Sequence, residues 1–147
     1  MHTTIDTTAP VVVSLTTAIE APLATVWELH TDIDGWPLWN TGIDRARLDG
    51  PLAVGAGFTW LTHGLDITST IRELVPGQRI VWGGTVQGIV GIHVWTFEPS
   101  GAGVVVRTEE SWSGAPVDAA VDELATALKT SLRDWLDRLK ARAEQPA

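Results

Sequence analysis

The stretch GIHVWTFEP, residues 91–99, alternates as a strand does, so His93, Trp95 and Phe97 share one face. Turn lengths around it bring other residues onto that face. A loop at Ser100–Gly103 pairs Phe97 with Val106, Trp95 with Thr108 and His93 with Glu110. A two-residue turn at Gln87-Gly88 pairs Trp82 with His93. A two-residue turn at Pro76-Gly77 pairs Val75 with Gln78, and hence Ile71 with Trp82. A turn at His63-Gly64 pairs Trp60 with Ile67 and Phe58 with Ser69. The expected inner face thus carries Phe58, Trp60, Ile67, Ser69, Ile71, Trp82, His93, Trp95, Phe97, Val106, Thr108, Glu110 and Trp112. An imidazole beside a carboxylate in an apolar pocket can share or pass a proton, so His93 and Glu110 are the candidate catalytic pair. The same pair can also do no more than satisfy two buried polar groups, and both readings stay open.

Other constellations carry less. His30, Asp32 and Asp34 have the composition of a metal cluster, but no second pair stands at ligand spacing and caps and turns account for the aspartates, so no metal is expected. Gly83, Gly84, Gly88 and Gly91 lack the helix and Lys-Ser/Thr of a phosphate loop; they fit a sheet that bends or leaves room for a ligand. There is no cysteine, hence no thiolate chemistry or disulfide framework. No cofactor is expected. The formal charge of −8 repels a phosphate backbone and argues against nucleic acid as partner. No apolar run reaches the length of a membrane span, and MHTTIDTTAP is unlike an export signal, which makes the cytoplasm the expected location.

The elements that must position the pair follow the same patterns. Residues 1–10 are polar and Thr-rich, expected as a flexible end. VVVSLTTAIE (11–20) is a strand. APLATVWELHTD and IDGWPLWN give two short helices, the second broken by Gly35 and Pro37. From Phe58 to Trp112 strand follows strand with turns short enough for antiparallel hairpins only. Then Val117, Val121, Leu124, Leu128, Leu132, Trp135 and Leu139 recur at helical spacing, predicting one amphipathic helix from 117 to about 143. The fold class is α+β: a curved antiparallel sheet of about seven strands around a long C-terminal helix, forming one domain over 11–144. Trp27 and Trp135 read as core; Trp36 and Trp39, near the expected cavity mouth, read equally as core or as entrance residues.

TAIEAPLATVWELHTDIDGWPLWN, STIRELVPGQRIVW, HVWTFEPSGAGVVVRTEESWSG and LKTSLRDWLDRLKARAE, in this order, resemble the SRPBCC superfamily of START-related helix-grip proteins. The nearest branch is similar to the polyketide cyclase/dehydrase-like group. The resemblance implies a deep hydrophobic cavity between sheet and C-terminal helix, and a hydrophobic small molecule as partner. The residues expected to line it are Trp39, Phe58, Trp60, Ser69, Ile71, Trp82, His93, Trp95, Phe97, Thr108, Glu110, Trp112, Leu124 and Leu128. Three functions compete: binding of a polycyclic or polyketide-like ligand, cofactor-free cyclisation or dehydration by His93 and Glu110, or protein interaction around a filled cavity. One departure bears on the choice. The resemblance implies that polyketide aromatases of this kind tend to use a pocket arginine with polar or phenolic partners, whereas this chain has no tyrosine and the register places Arg72 and Arg107 outside.

Overall fold

The computed structural model describes residues 3–146. Seven strands run in chain order as β1 (Val11–Ile19), β2 (Ile43–Leu48), β3 (Gly57–Thr62), β4 (Leu65–Val75), β5 (Arg79–Val86), β6 (Ile89–Ser100) and β7 (Gly103–Ser113). They form one sheet in the order β1-β7-β6-β5-β4-β3-β2. Every neighbouring pair is antiparallel. The helices are α1 (Leu23–Thr31), α2 (Trp36–Trp39), α3 (Ala115–Asp118) and α4 (Val121–Ala143). This is the helix-grip arrangement, with α4 against the concave face of the sheet.

The turns set the register, as anticipated. His63 and Gly64 have φ of 51° and 74°, and Gln87 and Gly88 have 49° and 82°. Two successive positive φ angles make the tight hairpin turn whose twist matches its strands. They fix Trp60 opposite Ile67, Phe58 opposite Ser69 and Trp82 opposite His93. His93 lies opposite Glu110, and Trp95 opposite Thr108. The turn after β4 differs. Val75 pairs with Arg79 rather than Gln78, so the loop is one residue longer than expected. A bulge at Arg72 absorbs that extra residue and returns Ile71 to Trp82.

The C-terminal helix is also shorter than its periodicity. Ala120 leaves helical geometry, with φ −150° and ψ 46°, and divides the expected span into α3 and α4. Val117 and Val121 keep a spacing of four across this break, so the apolar pattern cannot reveal it. With 23 residues, α4 is roughly 34 Å long at about 1.5 Å per residue. Asp122 and Glu123 in its first turn, and Lys140 and Arg142 in its last, complement its dipole.

The convex face has an apolar patch of its own, from Val81, Ile92 and Val94, and Ile5 covers it. Residues 3–10, expected as a loose end, carry two ties to the sheet: Arg79 Nη2 donates to the Thr3 carbonyl (2.6 Å) and the Asp6 amide donates to Ser111 Oγ (3.0 Å). Met1 and His2 lie outside the described residues.

Two clusters divide the concave side. Trp36, Phe58, Trp82, Trp95 and Phe97 meet Val26 of α1 and Trp135, Leu136 and Leu139 of α4 in one dense core. Val11, Val117, Leu128 and Leu132 form a second under the N-terminal half of α4. The helical pair α1–α2 thus fills one half of the concave face, and only the other half remains for a cavity.

Candidate functional site

Two adjacent chambers occupy that other half. The larger, about 320 Å³, lies between α4, the β3–β4 hairpin tip and the segment joining α2 to β2. The smaller, about 150 Å³, runs over β4–β7 beside His93. They share Trp60, Leu65, Glu110, Trp112 and Leu124 as a common wall. These four apolar side chains are only partly buried, because they face the cavity rather than packing against protein. Gly91 belongs to the floor, and a Cβ there would touch Trp112 and Glu110.

Of the residues expected to line the cavity, Trp60, Ser69, Trp82, His93, Glu110, Trp112, Leu124 and Leu128 do so. Trp39, Phe58, Ile71, Trp95, Phe97 and Thr108 line neither chamber. The reason is the α1–α2 layer. Trp27 of α1 meets Phe97 edge to face at 5.1 Å, and Trp36 of α2 meets Phe58 at 5.5 Å. Most of the inner face, with Trp39 of α2, was expected at the cavity; instead α1 and α2 cover half of that face. Of the two readings left open for Trp36, core holds, since it is fully buried; Trp135 both packs in the core and borders the larger chamber.

The candidate pair lies at the floor of the smaller chamber. His93 is 2% exposed. Its Nε2 is 2.7 Å from Thr108 Oγ1, and its Nδ1 is 3.0 Å from Glu110 Oε1. The latter contact has ion-pair distance, but the carboxylate stands off the N–H direction, so Nδ1 forms no aligned hydrogen bond. Glu110 Oε2 accepts a 2.6 Å hydrogen bond from Trp112 Nε1. A carboxylate beside Nδ1 favours the tautomer protonated there, which leaves Nε2 to accept the Thr108 hydroxyl. Thr108 is fully buried, so the basic lone pair of His93 then points into the sheet and away from the cavity. The group presented to a ligand is Glu110, whose side chain is 15% exposed.

A second histidine was legible only as part of a supposed metal cluster. His30, one turn after Val26 on α1, is fully buried among Trp36, Trp82, Trp95 and Phe97. Neither ring nitrogen has a hydrogen-bond partner among the described residues. Burial, reinforced by the nearby His93, holds its pKa well below the usual imidazole range, so it is neutral near pH 7. No group of three or more potential metal ligands forms among the described residues. Arg72 lays its guanidinium on Gly83 and Arg107 lies exposed beside Glu109, both outside the chambers. An arginine does line the cavity, however: Arg138 of α4.

With fold and cavity defined, the family follows. Residues 10–144 match the family described as polyketide cyclase / dehydrase and lipid transport, and the chain belongs to it. Its fold is the SRPBCC, polyketide cyclase-like one, shared with START-superfamily and ARO/CYC structures. A hypothetical protein, jhp0584 from Helicobacter pylori, superposes with a TM-score of 0.83 at 19% identity, covering 98% of each chain. A START-superfamily protein from Mycobacterium smegmatis gives 0.76 at 14% identity, over 91% of this chain and 97% of that one. The di-domain ARO/CYC protein StfQ of the steffimycin biosynthetic pathway gives 0.72 at 18% identity; 92% of this chain aligns with 51% of it, about half its length. No curated protein matches the sequence. Among the described residues no helix is long and apolar enough to cross a membrane.

Proposed function

We propose that this protein binds a hydrophobic, ring-containing small molecule between its sheet and α4. The observation that carries the reading is the pair of joined chambers walled by Trp60, Trp82, Trp112, Trp135, Leu65 and Leu124. Indole faces favour flat rings, and a cavity of this size is at the lower end of small-molecule sites. Membership of a family that includes lipid-transport proteins supports the same partner class. Phenylnaphthylamine, a neutral fluorescent probe, is expected to bind with micromolar affinity and to quench tryptophan emission. Leu124→Trp fills the shared wall and should weaken it by about tenfold or more. A probe that never binds, or that binds the filled variant equally well, contradicts the reading.

The Thr108–His93–Glu110–Trp112 chain favours a second reading, cofactor-free cyclisation or dehydration of a polyketide-like substrate. Here Glu110 exchanges the proton with substrate, while His93 and Trp112 orient its carboxylate. StfQ, whose fold this chain shares, is an ARO/CYC protein of a biosynthetic pathway. Glu110→Gln should then abolish turnover of a linear poly-β-ketone analogue while leaving its binding within about threefold. If turnover persists in that variant, or no turnover occurs in the native protein, the pair serves structure and ligand orientation alone.

A further inference from the structure

We infer that Asn40 and Arg138 form an anion-binding subsite at the far end of the larger chamber, selecting ligands that carry a singly charged oxygen such as a carboxylate or enolate. The inference rests on the proposed binding function and specifies its ligand class. Asn40, just after α2, is 3% exposed and lines the chamber. Its Oδ1 accepts from Arg138 Nη1 (2.9 Å) and from the Gly42 amide (3.1 Å). Two donors on one atom settle which end of the amide is oxygen. The Nδ2 group is therefore turned the other way, and it has no hydrogen-bond partner among the described residues. Asn40 lines the chamber, so this amide N–H is open to donate to a ligand oxygen there.

Arg138 supplies the charge. Its guanidinium reaches the chamber from α4 and has no carboxylate within 4.0 Å among the described residues. Arg72 is the other partly buried arginine without an ion pair among the described residues, but it lines neither chamber, so Arg138 is the one that offers its charge to the cavity. Gly42 makes the placement possible, because a Cβ there would stand 2.8 Å from Arg138 Nη1. Asp134, one turn earlier on α4, also borders this end, and its charge disfavours a doubly charged group such as phosphate. Glu110 lies on the wall shared with the smaller chamber, so acid-binding and carboxylate functions occupy different parts of one cavity. The ligand that fits is an apolar ring system with one anionic oxygen directed at Asn40 and Arg138.

Two probes with the same rings test this: anilinonaphthalene sulfonate and its sulfonate-free parent, phenylnaphthylamine. Arg138→Gln should weaken the sulfonate probe by about tenfold and leave the neutral probe within about twofold. Gly42→Ala keeps the charge but displaces the guanidinium, and should shift the two affinities in the same directions. Arg133→Gln removes an equal charge from the exposed side of α4 and should change neither. Undiminished sulfonate binding in Arg138→Gln, or an equal loss in Arg133→Gln, overturns the subsite while the cavity reading stands. Failure of both probes on the native protein overturns both.

Discussion

Trp36→Ala is expected to cost about 3–5 kcal/mol, a large share of the stability of a domain of this size. Trp36 is fully buried. Its ring centroid lies within 5.2–5.8 Å of those of Phe58, Trp60, Trp82 and Trp135, so it joins strands β3 and β5 to α4. Its Nε1 donates to the His30 carbonyl at 2.7 Å, tying α2 to the end of α1. Truncation leaves a cavity the size of an indole and deprives the His30 carbonyl of its indole donor. Trp112→Ala offers the contrast. Trp112 is partly exposed on the cavity wall, so its loss enlarges an existing space and should cost less than half as much. Urea unfolding monitored by far-UV circular dichroism gives both values. A Trp36→Ala variant as stable as Trp112→Ala would show that the α1–α2 layer does not bear on the sheet as described.

His30 should make the protein sensitive to acid. Its folded-state pKa is held well below 6.5 by burial and by His93, whereas the unfolded chain exposes an ordinary imidazole. Above that ordinary value both states are neutral and His30 contributes no pH dependence. As pH falls below about 6.5 the unfolded state takes up a proton that the folded state refuses, so stability declines, by up to about 1.4 kcal/mol per pH unit from this group. His30→Met keeps a similar volume, removes two unpartnered nitrogens and abolishes this contribution. The variant should be more stable than the native protein at pH 5, and the difference should shrink toward pH 8. Parallel stability curves for the two proteins between pH 5 and pH 8 would contradict the burial of a neutral His30. The carboxylate clasp at the chain end acts in the same direction at lower pH. Glu144 accepts from Lys140 Nζ and the Glu20 amide, which lowers its pKa, so that support is lost as pH falls through the acid range.

What the sequence disclosed depended on local signals that survive folding. His63-Gly64 and Gln87-Gly88 fit a two-residue hairpin, and from these turns the register through Trp60, Trp82, His93 and Glu110 could be counted out. The Pro76-Gly77 turn was read one residue too short, and the Ile71–Trp82 pair was still right because the bulge at Arg72 offsets the error. Bulges have no sequence mark of this kind. The tertiary packing of short helices was less accessible. Nothing in LATVWELHT or WPLW says which half of a sheet they cover, so Trp95 and Phe97 were assigned to a cavity that α1 fills with Trp27 and His30. His30 stands four residues after Val26 on one helix face, a pattern that could have marked it as buried. Arg138 was missed because it sits beside the apolar stripe of α4. Leu124, Ala127, Ser131, Asp134 and Arg138 form a second stripe at helical spacing, and its polar members face the chamber rather than open solvent.

Entry of a ring-containing ligand into the joined chambers is read out by the indole N–H signals of the eight tryptophans. A nitrogen-15 correlation spectrum recorded during titration with phenylnaphthylamine resolves them by assignment. Saturable shifts are expected at Trp60, Trp82, Trp112 and Trp135, which line the chambers, with Trp27 and Trp39 nearly unmoved. Shifts at Trp27 and Trp39 without change at Trp60 and Trp112, or no saturable shift at any indole, would contradict it.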